Sequence, residues 1–375
     1  MALPAHCQKI VLVGLLLSPA VIGEMDRAAV PGPRSFRFNT TENNQTLDST
    51  VMYYLTSSIT TMMIPVILSI ILIIGLPANG LALLILVTKV QRLPSTIFLM
   101  NLATADLLLM LVLPFKIQYH FQGNNWLFGE ALCRTMTAFF YGNMYCSILL
   151  LTVISIDRYF ALVHPLYSKG FRDKRFAVAV CFVIWALVGT SMIPLLLKEQ
   201  VYSFQDPNIT TCHDVLPDKV DSGYFFYCFV CLVAVGFLIP CVVTVFCYVS
   251  IVRALLKSSD LFGQAIRNMV LVLITYVVCF APSNIILLIH HSGLHSMDVN
   301  YLYLNYTISL MLSTLNNCID PFIYYYVSDE FRNKVRSVIL STTVKGKRSI
   351  KIVQPLIESS SFSAPESKIT SDSSI

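Results

Sequence analysis

Seven runs of apolar residues, near 62–88, 95–119, 131–156, 176–197, 224–252, 268–289 and 301–327, recur along the chain, and most contain no charge. They are too long and apolar for ordinary helices. At about 1.5 Å of rise per residue, runs of this length cross a hydrocarbon core of about 30 Å with some tilt. The pattern predicts an all-α membrane fold, a seven-transmembrane helix bundle. The stretch Leu132–Tyr159, LCRTMTAFFYGNMYCSILLLTVISIDRY, is the run around which the others are arranged. Its charges lie near its ends, with Cys133 at one and Asp157, Arg158 and Tyr159 at the other.

The segments outside the runs divide the rest of the chain. Residues 1–23 carry Lys9, the apolar core VLVGLLLSPAV and small residues before Glu24, which reads as a secretory signal. Residues 24–34 form a propeptide and 35–61 an extracellular arm, polar and expected to be mostly disordered, with sequons at Asn39 and Asn44. A further sequon, Asn208, falls in the longest connection, 198–223, whose Glu199, Asp206, Asp214, Asp218 and Asp221 outnumber Lys198 and Lys219 and make an acidic lid. After the bundle, 62–327, the segment 328–341 spaces Phe331, Val335 and Val338 as an interfacial amphipathic helix would. The tail 342–375 is rich in Ser and Thr and reads as a disordered segment with phosphorylation acceptors.

Composition agrees with the periodicity: 55% of residues are hydrophobic and 13% charged, against about 25% charged in soluble domains. Mean hydropathy is +0.69. The net charge of +5 is no nucleic-acid signature, because Lys and Arg cluster at the ends of spans. Lys89, Arg92, Lys169, Arg172, Arg253, Lys257, Arg332 and Lys334 place those ends in the cytoplasm by the positive-inside rule, and the N-terminus outside. Of the 11 cysteines most lie inside spans, so the economical disulfide joins Cys133 and Cys212 at the extracellular ends of their elements.

Charged groups within spans need a reason, since one at a helix centre costs about 2.5–3.5 kcal/mol on insertion scales. Asp106 in LATADLL and Asp320 in NNCIDPFIYY are such groups, with Asn79, Tyr324 and Pro321 near them in the pattern. Alone, a buried acid is most cheaply protonated. Together with Asn143, Ser147 and Asn316 the two carboxylates form a candidate site for a small hard cation, for which Na⁺ is the allosteric candidate; no cofactor is required. Asp157-Arg158-Tyr159 reads as a conformational latch at the cytoplasmic end of the third span. His290, His291 and His295 lack the ligand spacing of a structural metal site. No catalytic triad, Walker loop or HExxH is present, so the chain does not read as an enzyme.

With GLPANG, LATADLL, Cys133, DRY, Trp185, FLIP, CFAP and DPFIY in successive spans, residues 60–340 resemble a rhodopsin-like G-protein-coupled receptor. The chain departs from that pattern at Phe280, at Asp320 and at Phe262 to Gln264, which supply no acid for Arg158. LPFKIQYHFQGNNWLFGEALCR, NITTCHDVLP, CFAPSNIILLIHH and STLNNCIDPFIYYYVS are similar to the protease-activated receptors. That resemblance implies a plasma-membrane receptor cut in its arm by an extracellular thrombin- or trypsin-like serine protease, signalling through heterotrimeric G proteins. Arrestin and receptor kinases would act on the Ser/Thr-rich tail, and a receptor dimer is compatible with it.

The arm supplies what this mechanism needs. Val30-Pro31-Gly32-Pro33-Arg34 is a Pro-rich approach to one Arg that a trypsin-like pocket accepts, and cutting there exposes Ser35-Phe36-Arg37-Phe38-Asn39 as a tethered ligand. From Ser35 to Thr61 a flexible arm spans about 26–31 Å, comparable to a receptor's outer face. Its expected partners are His213, Asp214 and Asp218 in the lid and Tyr301, Tyr303 and Tyr306 at the outer end of the seventh span, with Asp214 favoured as the reader of Arg37. Three other readings remain at this point: a receptor for a nucleotide or other soluble ligand, a transporter, and a non-signalling co-receptor that presents a protease to a partner.

Overall fold

The computed structural model describes residues 36–41, 44–46, 49–88, 90–91, 93–164, 173–205, 208–217, 232–258, 263–292, 299–327 and 331–337. The signal segment, Arg34, Ser35, Asp218, Asp221 and the Ser/Thr-rich tail lie outside the described residues. In chain order come strands β1 (Phe36–Thr41) and β2 (Asn44–Thr46), helix α1 (Ser49–Thr56) and a π-helical turn, Ile59–Met63, that runs into α2 (Ile64–Thr88). Then follow α3 (Pro94–Phe121), α4 (Gly129–Leu162) and α5 (Lys174–Leu197). A hairpin of β3 (Val201–Gln205) and β4 (Asn208–Cys212) leads to β5 (Val215–Pro217). A second π-helical turn, Ala234–Leu238, opens α6 (Ile239–Ser258), after which α7 (Gly263–Ser292), α8 (Val299–Val327) and a short helix α9 over 331–337 complete the chain.

Among the described residues five helices are long and apolar enough to cross a membrane, and Val272–Leu288 of α7 adds a shorter apolar stretch. The fold is an all-α membrane bundle. The seventh run, α8, is less apolar because Ser313, Thr314, Asn316, Asn317 and Asp320 all turn into the bundle and are buried. Outward faces carry residues no soluble protein would show water: Ile73 is 71% exposed, Phe182 74% and Val242 69%. Those faces belong to lipid, where backbone groups are satisfied within each helix.

The third span is the axis of the bundle. In its most apolar window α4 buries 67% of residues, against 28% for α5 and 33% for the first span. Every neighbour is tied to it by a polar contact as well as by packing. Tyr145 donates to Asn284 of α7 at 3.3 Å, Thr152 and Thr244 of α6 share a hydrogen bond of 3.0 Å, and Asn143 donates to Asp106 of α3 at 3.2 Å. In α2, Pro77 removes a backbone donor, and Asn79 two residues on bridges out of the helix to the Asn317 carbonyl at 2.7 Å.

One expectation changes. The arm, expected to be disordered, is ordered over its described residues: Val51 and Leu55 of α1 are 0% and 2% exposed, and the side-chain amide of Asn124 donates to the Leu55 carbonyl at 2.5 Å. Val51 and Leu55 lie four apart on one face of a helix, so that face buries against the top of the bundle and holds the segment. Of the segment 328–341, residues 331–337 are described and helical, and Phe331 is buried with its ring 6.3 Å from that of Tyr324.

Close packing around α4 gives a test. A Cβ added at Gly236, in the π-helical turn before α6, would sit 2.8 Å from a ring carbon of Tyr145. Gly236→Ala is expected to cost about 1–3 kcal/mol by overpacking, read as a lower Tm of the detergent-solubilised protein. Adding Tyr145→Leu should recover part of that loss, and an unchanged Tm for the single variant would refute the packing.

Candidate functional site

The outer mouth is roofed by the β3–β4 hairpin, which runs antiparallel from Val201 opposite Cys212 to Gln205 opposite Asn208. Cys133, one turn into α4, is bonded to Cys212 with Cα atoms 5.8 Å apart, so the bridge expected from the sequence is present. The roof has a second clamp that the sequence reading did not assign. Glu130 accepts hydrogen bonds from the backbone N–H groups of Gln200 at 2.8 Å and Val201 at 2.9 Å, and from Arg134 Nε at 2.5 Å. Arg134 also donates to the Leu196 and Leu197 carbonyls, both at 3.3 Å, which joins α4 to the end of α5. Asn125 and Trp126 hold the other strand through the N–H and carbonyl of Thr210, at 2.9 and 2.6 Å. Burial, then the charges of Glu199 and Glu130, push the Tyr202 phenol up. The available signal was the spacing of Glu130 and Arg134, four apart across Cys133.

After Cys212 the chain turns sharply into the bundle, with His213 at φ 68°. That left-handed conformation is one His adopts more readily than most residues. His213 and Asp214 are thereby buried, 9% and 6% exposed, and the Tyr141 hydroxyl lies 3.3 Å from His213 Nε2. Asp214 is close enough to Tyr119 and His120 of α3 to act on both electrostatically. Beneath lies a narrow cleft of about 30 Å³, lined by His213, Asp214, Lys116, His120, Phe140 and Tyr141. Aliphatic side chains of α2 and α8 close its far walls, and Lys116 sits 5.5 Å over the Phe140 ring. An acid in the roof beside this cleft offers a cation a charge-assisted contact at the rim.

Not every residue expected here lines the cavity. Tyr306 is 3% exposed, packed between helices, and the α8 wall is made instead by Thr307, Leu310 and Met311. Residues at 307, 310 and 311 follow the helical period from a start one residue later than the tyrosines imply. Tyr301 and Tyr303 lie in the first turn of α8, with side chains outside the described residues. β1 passes beside the roof: Phe36, Arg37 and Phe38 pair in parallel with Val215, Leu216 and Pro217. Asn39 is opposite Thr46, Asn44 is in β2, and Asn208 is exposed at the hairpin tip.

Deeper, the polar residues of four spans converge. Asp106 and Asp320 are both 0% exposed and close enough to act on each other. Asn143 donates to Asp106 at 3.2 Å, Tyr324 to the other Asp106 oxygen at 3.4 Å, and Asn316 to Asp320 at 2.6 Å. One oxygen each of Asp320, Asn316, Asn317 and Ser147 is buried without a protein hydrogen bond. Pro321, next to Asp320, lies inside α8. At the end of α4 away from the roof the Tyr159 hydroxyl is 3.1 Å from His164 Nε2, its ring tilts against Phe246, and Arg158 acts electrostatically on Tyr248 of α6. Asp157 completes that triplet in the same helix.

Comparison with known proteins gives a consistent result. The family model of the 7 transmembrane receptor (rhodopsin family) matches residues 78–324. The chain is 43% identical over 327 residues to Proteinase-activated receptor 4 of Rattus norvegicus, covering 86% of this chain and 83% of that receptor. It is 45% identical over 278 residues to Proteinase-activated receptor 3 of Homo sapiens, 74% of each chain. Against Proteinase-activated receptor 2 of Rattus norvegicus it is 40% identical over 363 residues, 94% of this chain and 89% of that one.

The second clamp on the roof is testable apart from signalling. Glu130→Ala removes the acceptor of three donors on a partly exposed side chain, worth about 1–2 kcal/mol to the roof's position. Amide hydrogen exchange at Gln200 and Val201 should then quicken roughly fivefold to thirtyfold with the disulfide intact. Unchanged exchange there would show that the bridge alone holds the hairpin.

Proposed function

The chain belongs to the proteinase-activated receptors of the rhodopsin family, and from that premise we propose that a serine protease activates it by hydrolysing the Arg34–Ser35 bond. Water adds across that amide, leaving a carboxylate on Arg34 and an ammonium on Ser35. The exposed sequence SFRFN then acts on the receptor's own outer face, with the N-terminus extracellular and the C-terminus cytoplasmic. Heterotrimeric G proteins read the change, and arrestin and receptor kinases engage the Ser/Thr-rich tail. The observation that carries this reading is the position of Phe36–Phe38 alongside β5, immediately after the buried His213 and Asp214 that roof the cavity.

Asp214 has two candidate cations, the Arg37 guanidinium and the new ammonium. We assign it the ammonium, since Arg37 lies opposite Leu216, two residues past Asp214. Partly desolvated charge-assisted hydrogen bonds are worth about 1.5–3 kcal/mol, so Asp214→Asn should weaken the SFRFN peptide roughly tenfold to a hundredfold. Acetylating the peptide's amino group should do the same on the parent receptor, and an SFEFN peptide should gain nothing on Asp214→Arg. Recovery by SFEFN would return the role to Arg37.

Below the cavity, Asp106 and Asp320 with Asn143, Ser147 and Asn316 form the proposed allosteric Na⁺ site. Its support is the set of buried oxygens on Asp320, Asn316 and Ser147 that make no protein hydrogen bond, neutral and carboxylate oxygens of the kind that ligate a hard cation. Asp157, Arg158 and Tyr159 together with Asp320, Pro321 and Tyr324 are the proposed activation switch, the latter group adjoining that site.

The direct test of the proposed cut is Arg34→Ala. Protease-evoked calcium release should be lost while the response to free SFRFN persists at matched surface expression. A surviving protease response would locate the cut elsewhere.

A further inference from the structure

We propose that the cleft beneath the roof is a binding site for ordered water, held between His120 of α3 and Thr137 of α4. Both side chains line the cleft and both are buried, 2% and 3% exposed. His120 is oriented through its other nitrogen. The amide group of Asn124 donates to the Leu55 carbonyl, which leaves the Asn124 oxygen to face the ring and makes His120 Nδ1 the donor of the 2.6 Å hydrogen bond between them. A neutral imidazole held in that way presents Nε2 as an acceptor, and Nε2 has no protein hydrogen bond.

Thr137 is the second partner. Threonines elsewhere in the bundle return their hydroxyl to the carbonyl four residues back, as Thr135 does to Ala131, Thr152 to Ile148 and Thr314 to Leu310. The Thr137 hydroxyl makes no such bond and is buried without a protein partner. A ring nitrogen and a hydroxyl placed so in a wall shielded from bulk solvent are costly unless a polar molecule enters to pair them.

Size and charge select that molecule. The cleft of about 30 Å³ has room for roughly one or two waters and not for an aromatic side chain. Lys116 in its wall opposes a cation, and among the described residues no three His, Cys, Asp or Glu side chains are grouped to hold a metal ion. A water that donates to His120 Nε2 and accepts from the Thr137 hydroxyl satisfies both, and its second hydrogen is left for the Asp214 carboxylate in the same wall. About three hydrogen bonds are what a buried water ordinarily makes. With the water in place, a polar path runs from the Leu55 carbonyl through Asn124 and His120 to Thr137. It joins the helix that anchors the arm to the helix at the centre of the bundle.

Hydroxyl-radical labelling tests the site, because X-ray ionisation of a bound water oxidises the side chains beside it even where bulk solvent does not reach. Met136 lines the cleft and is 2% exposed, whereas Met192 of α5, 4% exposed, lies outside it. In the full-length receptor Met136 should gain oxygen about fivefold faster than Met192, since a polar cleft keeps its water and an apolar one stays dry. Thr137→Val should bring Met136 down to the rate of Met192, while Thr137→Ser, which keeps the hydroxyl, should leave it high. Equal rates for the two methionines in the parent receptor would show a dry cleft and overturn the inference, and that comparison depends on no variant folding. Fast labelling of Met136 that survives Thr137→Val would overturn it as well, because the radicals would then come from bulk solvent.

Discussion

The sulfur–sulfur bond between Cys133 and Cys212 is the constraint on which the outer half of this receptor depends. It joins the helix that buries most of its surface to a hairpin that has little core of its own. A two-stranded hairpin is marginal at best in water. Here Glu130, Arg134, Asn125 and Trp126 add hydrogen bonds on both of its strands, so the roof is positioned at several points by one end of α4 and the loop before it. The sharp turn at His213 follows directly from that anchorage. It drives His213 and Asp214 into the bundle and leaves the next three residues extended along the rim, where their edge can pair.

The same helix reaches the membrane centre, where the energetic rules differ. In lipid a polar group left unsatisfied costs several kcal/mol, so the convergence of Asp106, Asn143, Asn316, Asp320 and Tyr324 requires either mutual hydrogen bonds or a counter-charge. The structure supplies the first only in part, since oxygens of Asp320, Asn316, Asn317 and Ser147 remain without donors. An incompletely satisfied network of this kind has more than one arrangement of similar energy. That is the property a two-state element needs. The network lies in α3, α4 and α8, between the cleft under the roof and Arg158 with Tyr248 at the other end of α4.

What was legible in the sequence was legible for physical reasons. Spans show because lipid demands long apolar runs, and the disulfide shows because only two cysteines sit where an oxidising compartment begins. The buried acids stood out against that apolar background. Glu130 did not, because an acid at a helix start is ordinary until its backbone partners are known, and those lie 70 and 71 residues away. Tyr306 is buried while Thr307 beside it lines the cleft, because one residue of helical phase rotates a side chain by about 100°. The helix in the arm was missed because its one apolar stretch, Val51–Leu55, is short and set in a polar segment. Only Val51 and Leu55, too few to register as a pattern, hold α1 in place.

That anchor alters the physics of the tether. If the arm were free to Thr61, its end would sample a span of about 26–31 Å, but α1 fixes the chain at Ser49 and leaves about 14 residues, for which the span falls to roughly 19–22 Å. A shorter leash raises the effective concentration of the strand at the rim, already of order millimolar for short flexible tethers. It also lowers the entropy lost when the strand pairs, because fewer residues remain to be ordered. A peptide too weak to work as a free molecule can therefore act from its tether.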